Sequence, residues 1–439
     1  MPVTEVGSFP FYSVTYDKSG TLQGDMPVLD PKYTDVVIVA HGWNNDAIEA
    51  QTLFTKLFRN MTEVAPGVAG FPRDTLAVIG VFWPSKKFNF ASDDAQARGP
   101  AAGIGAGPAV ASPRVGNALD DLRKTFAGES DDKQQQIAII EDLANKRNDE
   151  AVGAKLVTAL RKLLEDQDTD LLGTDAAALF NSPTQPLVLY EAAKDDIILQ
   201  AGGQGAVATT PAAGIIGAAA GGIDNAFENL LNVTSYYQMK KRAGKVGAAG
   251  VAALISQLAA APGIKRIHLV GHSFGGRLVT AAAKAASPTD KLHSMTLLQA
   301  AFSHNGFSAA GNEGGTDIDE GYFRSVITEK RIKGPILITF SRHDHAVAKA
   351  YAIASRISRQ NAASLGGPTD PYGGIGANGA QRLGASAVSA KVTALFDKGA
   401  SYQWEQGKVH NLAGHDFISS HGDVSSPQVA WAIASAIAS

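Results

Sequence analysis

Five long apolar segments rich in β-branched residues recur along the chain, and segments with helical spacing of apolar residues lie between several of them. The five are "DVVIVAHG" (35–42), "TLAVIGVFWP" (75–84), "RIHLVGHS" (266–273), "HSMTLLQAAF" (293–302) and "GPILITFSRHD" (334–344). Continuous rather than alternating hydrophobicity is typical of strands covered on both faces. Helical patterns lie at 47–64, 249–261, 277–287, 346–358 and 426–439. This alternation predicts an α/β fold with a mainly parallel central sheet and helices on both faces.

The alternation stops between about residues 85 and 235. This stretch opens with low-complexity sequence (97–113), continues with charged amphipathic helical patterns (131–167) and ends in a small-residue, glycine-rich tract (201–222). We interpret 85–235 as a mostly helical inserted cap or lid, and 1–84 with 236–439 as the core. A separate helical domain without a catalytic role is the alternative. A second glycine-rich tract, 365–384, is predicted to be a surface loop.

Composition narrows the class of protein. The chain has 439 residues, 45% of them hydrophobic and 18% charged, which is typical of a soluble globular protein. A net charge of −3 argues against a nucleic-acid partner. The absence of cysteine excludes disulfides, thiolate metal sites and a cysteine nucleophile.

Neither a signal-peptide pattern nor a run of about twenty apolar residues is visible in the sequence. The default expectation is therefore a cytoplasmic protein. Export by a route that needs no N-terminal signal, or removal of a signal, is left open. The oligomeric state is not indicated.

A serine lies at the junction of one predicted strand and one predicted helix, in Gly271-His272-Ser273-Phe274-Gly275. A serine hydroxyl is a weak nucleophile that needs exposure, rigidity and a neighbouring base. A sharp strand-to-helix turn exposes it but crowds the positions two residues before and after it, which glycine relieves. The helix also directs its first N–H groups towards the serine. The pattern predicts a nucleophile elbow with an exposed Ser273. A phosphate-binding glycine turn is the alternative, but the P-loop and dinucleotide spacings are absent.

Four segments, in chain order, resemble the α/β-hydrolase superfamily and, within it, the serine esterases and lipases. They are "VAHGWNND", "VGHSFGG", "SRHDHAV" and "SSHGDVSSPQVAWAI". The resemblance covers roughly residues 33–84 and 235–439. It implies the α/β-hydrolase fold and a Ser-His-Asp triad whose nucleophile, acid and histidine follow one another in the chain.

The resemblance implies Asp344 as the acid, because it ends a late predicted strand. A buried carboxylate there would accept the histidine N–H and stabilise the imidazolium. The alternative is that Asp344 only caps the helix that begins near Ala346. Weaker candidates, in glycine-rich loops, are Asp317, Asp319 and Asp370.

The base is expected in a loop after the last strand, before the final helix, and the three candidate histidines considered are His410, His415 and His421. All ten histidines lie outside the predicted cap, so the cap cannot supply it. His410 lies within a predicted final strand. His421 directly precedes the last predicted helix, where the superfamily places its base, so we predict His421, with His415 as the next candidate.

An oxyanion hole needs two backbone N–H groups. One is expected from Phe274, the residue after the serine. By resemblance to the lipase and esterase oxyanion turn, the other is that of Trp43, with Gly42 allowing close approach. An ordinary strand-ending turn with a structural histidine is the alternative. The residues expected to shape the pocket are His41, Gly42, His272, Trp83 and Phe302.

No cofactor and no catalytic metal are expected. Histidine and aspartate cluster at 343–345 and 410–421, but without the i, i+4 spacing of a helical zinc site. A calcium site in the glycine-rich loops is the metal alternative.

Together these features predict hydrolysis of a carboxylic ester with an apolar acyl part through an acyl-enzyme. The substrate is expected to be a small-molecule or lipid ester, and the apolar tract 201–222 makes the cap a candidate for contact with a membrane surface. One alternative is a membrane-acting lipase or phospholipase with this tract as a mobile lid. Others are a non-catalytic hydrolase-fold binding protein and a protease or amidase, since a triad alone does not select the leaving group.

Overall fold

The computed structural model describes residues 4–43, 45–85, 112–147, 149, 151–164, 185–194, 196–199, 206–209, 217–313, 316–348, 368, 373–384, 388–389 and 391–439. Its strands are β1 (Thr4–Val6), β2 (Phe9–Tyr16), β3 (Leu22–Gln23), β4 (Asp35–Ala40), β5 (Leu76–Phe82), β6 (Asp196–Leu199), β7 (Ala206–Thr209), β8 (Arg266–His272), β9 (Leu292–Leu298), β10 (Gly311–Glu313), β11 (Thr316–Ile318), β12 (Ile336–Phe340), β13 (Thr393–Ala394) and β14 (Val409–Ala413).

The helices are α1 (Ala47–Val64), α2 (Pro113–Thr125), α3 (Asp131–Asn145), α4 (Val152–Leu164), α5 (Pro186–Ala192), α6 (Gly217–Lys245), α7 (Ala252–Ala260), α8 (Phe274–Ala285), α9 (Arg324–Thr328), α10 (Ile375–Asn378) and α11 (Pro427–Ile437). A π-helical segment, Val246–Val251, joins α6 to α7.

Ten of the described strands form one sheet. Its order is β1-β2-β5-β4-β8-β9-β12-β14-β13, and β3 pairs with β2 outside this path. The ladders from β2 across to β13 are parallel, and only those of β1 and β3 with β2 are antiparallel. The predicted α/β class and mainly parallel sheet are confirmed.

Helices cover both faces of the sheet, as the continuous apolar strands predicted. On β4, Val36 and Ile38 join the core beneath α7 and α8, whereas Val37 and Val39 join a second core with α1 and α11. All four side chains are at most 2% exposed. A strand buried on both faces has no polar face, which is why its sequence shows no alternation.

The chain reverses its direction of travel across the sheet between β4 and β8. From β4 it continues to β5 on one side, whereas from β8, the other neighbour of β4, it continues to β9 on the opposite side. In open parallel sheets, such a switch point leaves a crevice at the carboxyl ends of the two strands, where ligands bind. Residues 41–43 and 273–274 follow these two strands.

The N-terminal strands β1 and β2 were not predicted. Their sequence, "TEVGSFPFYSVTY", has mixed polar and apolar residues. The structure places β2 beside β5 in parallel register, with β1 antiparallel to it at the sheet edge. Only tertiary pairing distinguishes such a segment from a loop.

The described residues of 85–235 are mostly helical, in α2 to α5 and the first part of α6, with one hairpin, β6–β7. The predicted boundary at 235/236 falls inside α6, so the helix passes without a break into the predicted core. Most of 97–113 and of 201–222 lies outside the described residues.

One helical stretch among the described residues, Gly222–Ala260, is long and apolar enough to cross a membrane. Of the 18-residue window that makes this stretch apolar enough, 56% is buried inside the protein. Its centre packs against α8 and the β2–β3 turn: a Cβ on Gly247 would lie 2.1 Å from the carbonyl oxygen of Leu278, and one on Gly250 would lie 2.6 Å from that of Gly20. Such burial is typical of a core helix.

Candidate active site

Ser273 occupies a strained turn between β8 and α8. Its φ and ψ are 55° and −124°, in a region that side-chain-bearing residues rarely adopt. A Cβ on Gly271 would lie 2.4 Å from the carbonyl oxygen of Gly275, and a Cβ on Gly275 would lie 2.2 Å from that of Ala40. Both positions therefore require glycine for steric reasons.

A continuous series of hydrogen bonds links Ser273, His421 and Asp344. The Oγ of Ser273 lies 2.9 Å from Nε2 of His421, and Nδ1 of His421 lies 3.0 Å from each carboxylate oxygen of Asp344. Asp344 is fully buried, whereas the side chain of His421 is 24% exposed. Since the carboxylate can only accept, Nδ1 carries a proton and Nε2 is left to accept the serine proton.

Asp344 makes the hydrogen bonds that both interpretations of it require. Its Oδ1 accepts a hydrogen bond from the backbone N–H of Val347 at 3.0 Å, and this bond caps the helical turn at 345–348. The same oxygen also accepts a hydrogen bond from Nδ1 of His421. This hydrogen bond to Val347 fixes the carboxylate just beyond the end of β12, where it faces the loop of His421 between β14 and α11.

Gly376, in α10, packs directly on the carboxylate and was missed in the sequence. A Cβ on Gly376 would lie 2.9 Å from Oδ2 of Asp344 and 2.7 Å from the carbonyl carbon of Gln299. Residues 368 and 384 are exposed, but the prediction that 365–384 is a surface loop is wrong for residues 373–380, which are buried. Their small side chains reflect close packing against β9 and β12 rather than flexibility.

The turn after β4 lies against the serine. A Cβ on Gly42 would lie 2.6 Å from Cβ of Ser273. The carbonyl of Gly42 accepts hydrogen bonds from Nδ1 of His41 at 2.9 Å and from Oγ of Ser85 at 3.1 Å. Because a trans peptide points its C=O and N–H in opposite directions, these bonds also fix the direction of the Trp43 N–H. Phe274 is the first residue of α8, where the backbone N–H has no partner within the helix.

Trp83, just after β5, supports this turn through His41, the first residue after β4. The backbone N–H of Trp83 donates to Nε2 of His41 at 3.3 Å, and the indole N–H donates to the carbonyl of His41 at 3.0 Å. Burial lowers the pKa of His41 to about 4, so the imidazole is neutral near pH 7. Its two nitrogens therefore keep fixed donor and acceptor roles.

The prediction of an exposed serine is wrong, because Ser273 is only 5% exposed. A local turn lifts a side chain from the sheet edge but does not determine what packs over that edge. Here α6 crosses it: the ring of Tyr236 lies 4.9 Å from that of Phe274 and 6.1 Å from that of Trp43. Farther along α6, Arg242 donates to the carbonyl of Pro84, beyond β5.

The remaining pocket candidates lie in two different places. His272 is buried, with its ring centroid 4.9 Å from that of His421. Phe302 is 1% exposed and packs edge-on against Phe307 and Phe323 in an aromatic cluster.

The other two histidine candidates for the base are engaged elsewhere. Nδ1 of His415 accepts from the backbone N–H of Arg342 at 3.2 Å, and its ring packs edge-on against Phe340. His410 lies in β14, with Nε2 within hydrogen-bond distance of the backbone of Glu405. The structure thus brings His421, rather than these two, to Ser273. Of the weaker acid candidates, Asp370 lies outside the described residues.

A cavity of about 660 Å³ borders the turn after β4 on the side of β2, β5 and α2. None of Ser273, Asp344 and His421 is among the described residues that line it. Its described lining consists of Thr15, Tyr16, His41, Asn45, Asp46, Ala47, Phe82, Trp83, Pro84, Ser85, Asp121 and Lys124.

Within the described part of the chain, no group of three or more histidine, aspartate or glutamate side chains is arranged to hold a metal ion. Comparisons of the chain with protein-family models, with curated proteins and with solved structures each returned no match. The function must therefore be inferred from the geometry of the site.

Proposed function

We propose that the protein is a serine hydrolase with an α/β-hydrolase fold that cleaves carboxylic esters through an acyl-enzyme. The observation that carries the proposal is the hydrogen-bonded series from Ser273 Oγ through His421 to the buried Asp344, at 2.9 and 3.0 Å. The strained conformation of Ser273 between β8 and α8 and its position at the switch point of the sheet support the same conclusion. Strain of this kind costs on the order of 1–3 kcal/mol and concentrates at functional sites.

In the proposed acylation, Ser273 Oγ attacks the ester carbonyl carbon while Nε2 of His421 takes the hydroxyl proton. The backbone N–H groups of Trp43 and Phe274 hold the tetrahedral oxyanion. The intermediate collapses with cleavage of the carbon–oxygen bond, and His421 gives its proton to the leaving oxygen, which departs as an alcohol. Asp344 holds the imidazole in the required tautomer and stabilises the imidazolium.

In the proposed deacylation, water replaces the alcohol. His421 takes a proton from water as its oxygen attacks the acyl carbon, and then returns that proton to Ser273 Oγ as the carboxylic acid leaves. Together the two half-reactions consume one ester and one water molecule and release one alcohol and one carboxylic acid, with no other co-reactant.

The substrate class follows from the surroundings of the serine. Trp43, Tyr236 and Phe274 form an aromatic cluster beside Ser273, and such a surface favours an apolar acyl or alkyl group. Because α6 carries one of the three rings, we propose that the residues from α2 to the first part of α6 act as a cap over the site. Entry of substrate then requires displacement of side chains around a serine that is 5% exposed.

Labelling with a fluorophosphonate tests the proposal. The wild-type protein should form one covalent adduct, and Ser273→Ala should form none. A panel of p-nitrophenyl esters from acetate to palmitate should show turnover that falls by roughly 10⁴-fold or more in Ser273→Ala. Equal labelling of the two proteins, or equal turnover, would contradict the proposal.

A second candidate is a binding protein whose serine does not react, and the low exposure of Ser273 is the observation that favours it. It predicts no adduct with even the smallest fluorophosphonates and no turnover of any ester in the panel. The same experiment therefore separates the two candidates.

A further inference from the structure

We propose that His272, the residue before the nucleophile, is a positioning residue that holds the base loop through the backbone of His421. The inference rests on the proposed function, since it assigns a role within the same reaction. The contact that carries it is between Nε2 of His272 and the carbonyl oxygen of His421, which lie 2.9 Å apart.

This contact fixes the tautomer of the His272 ring. A carbonyl oxygen only accepts, so Nε2 of His272 carries the proton and Nδ1 has the lone pair. Nδ1 lies against Gly42, where a Cβ would come within 3.1 Å of it, and it is buried without a hydrogen-bond partner among the described residues. The ring therefore has one hydrogen bond, and that bond is to the backbone of the base.

The neutral form of His272 that makes this contact is retained near neutral pH. Burial, reinforced by the nearby imidazoles of His421 and His41, lowers the pKa of His272 to about 3. The ring stays neutral and keeps a single tautomer, so it neither repels the imidazolium that forms on His421 nor changes its donor during the reaction.

The base needs such a support because of where it lies. His421 lies in the segment 414–426 between β14 and α11, which has no regular helix or strand. The segment is tied to the end of β12 by the bond from Ser341 Oγ to the carbonyl of Ile418, at 2.8 Å. The bond from His272 ties it to β8, the strand that carries the serine. The proposed nucleophile and base are therefore both attached to the end of β8, although His272 and His421 are 149 positions apart in the chain.

Loss of this bond should affect turnover rather than binding. A shift of the imidazole by about 1 Å lowers a reaction rate by roughly 100-fold. For His272→Leu we expect kcat for a p-nitrophenyl ester to fall about 10- to 100-fold, with KM within about 2-fold of wild type. The acid limb of the pH profile of kcat/KM should move to lower pH, because an imidazole held less firmly against Asp344 is a weaker base.

Two variants keep the test independent of stability. His272→Gln places an amide N–H the same number of bonds from the backbone as Nε2, and we expect it to restore most of the lost kcat and the position of the acid limb. His272→Asn, whose amide is too short to reach the carbonyl, should behave like His272→Leu.

His293→Leu is the matched control. Nε2 of His293 also donates to a backbone carbonyl, that of Ser439 at 2.8 Å, but at the opposite end of the sheet. This variant should lose stability without loss of kcat. A wild-type protein that is inert to fluorophosphonates would refute the proposed function itself. If the wild type reacts but His272→Leu matches it in kcat, or if His272→Gln is as impaired as His272→Asn, the role of His272 is refuted.

Discussion

At the scale of single residues, Asp344 shows how one side chain can serve structure and proposed chemistry together. Its carboxylate caps a helical turn by accepting a hydrogen bond from the N–H of Val347 and accepts another from His421. Gly376 packs directly against it. A carboxylate has enough lone pairs for these contacts, whereas an amide replaces one acceptor by a donor. The position therefore requires an anion and not merely a polar group of this size.

Asp344→Asn is expected to lower kcat by roughly 10⁴-fold, because an amide N–H facing Nδ1 favours the wrong tautomer of His421. Turnover of a p-nitrophenyl ester measures it. Asp17→Asn is the control: the Asp17 carboxylate accepts hydrogen bonds from Ser19 and Thr21 within its own turn and none from Ser273 or His421, so kcat should be unchanged. Equal turnover by Asp344→Asn and wild type would contradict the assignment of the acid.

At the scale of elements, close contacts at the ends of strands and helices position Ser273 and Asp344, whereas side-chain bonds hold the loop of His421. The end of β4 touches the first turn of α8 at Gly275. The carbonyl of Gly376 in α10 accepts a hydrogen bond from the backbone N–H of Ser341, just after β12, at 3.0 Å. α1 is set in place by a capping box, in which the side chain of Asp46 accepts from the N–H groups of Ile48 and Glu49 while Glu49 accepts from the N–H of Asp46. Ser273 and Asp344 thus lie at the ends of regular elements, and His421 lies in a loop that is tied to two of those ends.

Gly376→Ala is expected to impair activity more than folding. The added Cβ would lie 2.9 Å from Asp344 Oδ2 and 2.8 Å from the carbonyl oxygen of Gln299, so the carboxylate or α10 must shift. We expect turnover to fall by about 10-fold or more and the free energy of unfolding to fall by about 1–3 kcal/mol. Ester hydrolysis and urea denaturation measure the two effects.

Gly116→Ala is the matched control, since a Cβ on Gly116, inside α2, meets no atom within 4 Å. It should raise the free energy of unfolding by about 0.5–1 kcal/mol without altering kcat. If Gly376→Ala were as harmless as Gly116→Ala, the close packing on Asp344 would be disproved.

At the scale of the whole molecule, several titratable side chains are buried as neutral groups in or beside the sheet. Burial lowers the pKa of His41 and of His268 to about 4, and that of His272 to about 3. In the unfolded chain a histidine has a pKa of about 6.5. Between these values the unfolded chain binds more protons than the folded protein, so acidification favours unfolding.

The free energy of unfolding should therefore be highest above about pH 6.5 and should fall as the pH decreases towards 4. Each pKa unit corresponds to about 1.4 kcal/mol, so three such histidines amount to several kcal/mol. Urea denaturation at pH 7, 6, 5 and 4.5 measures the slope. His268→Asn should reduce this slope, because His268 is one of the three histidines buried in the neutral form. A free energy of unfolding that is constant over this range would refute the prediction.

The sequence by itself determined the features that depend on neighbours along the chain. The parallel sheet followed from strands without a polar face, and the requirement for glycine at 271 and 275 followed from the geometry of a strand-to-helix turn. The proximity of Ser273 and His421 was inferred from a resemblance in motif order, and the serine–histidine distance in the structure agrees with that inference.

Only the tertiary structure decided what depends on segments far apart in the chain. Three contacts of this kind shape the site: Tyr236 of α6 packs on Phe274 beside Ser273, Gly376 packs on Asp344, and the His272 ring bonds to the backbone of His421, which lies 149 positions away. The pairing of the N-terminal strands β1 and β2 with the sheet was likewise decided only by the tertiary structure. Local sequence carries the steric and hydrophobic preferences of a segment, but packing selects its partner, and burial, orientation and pKa follow from that partner.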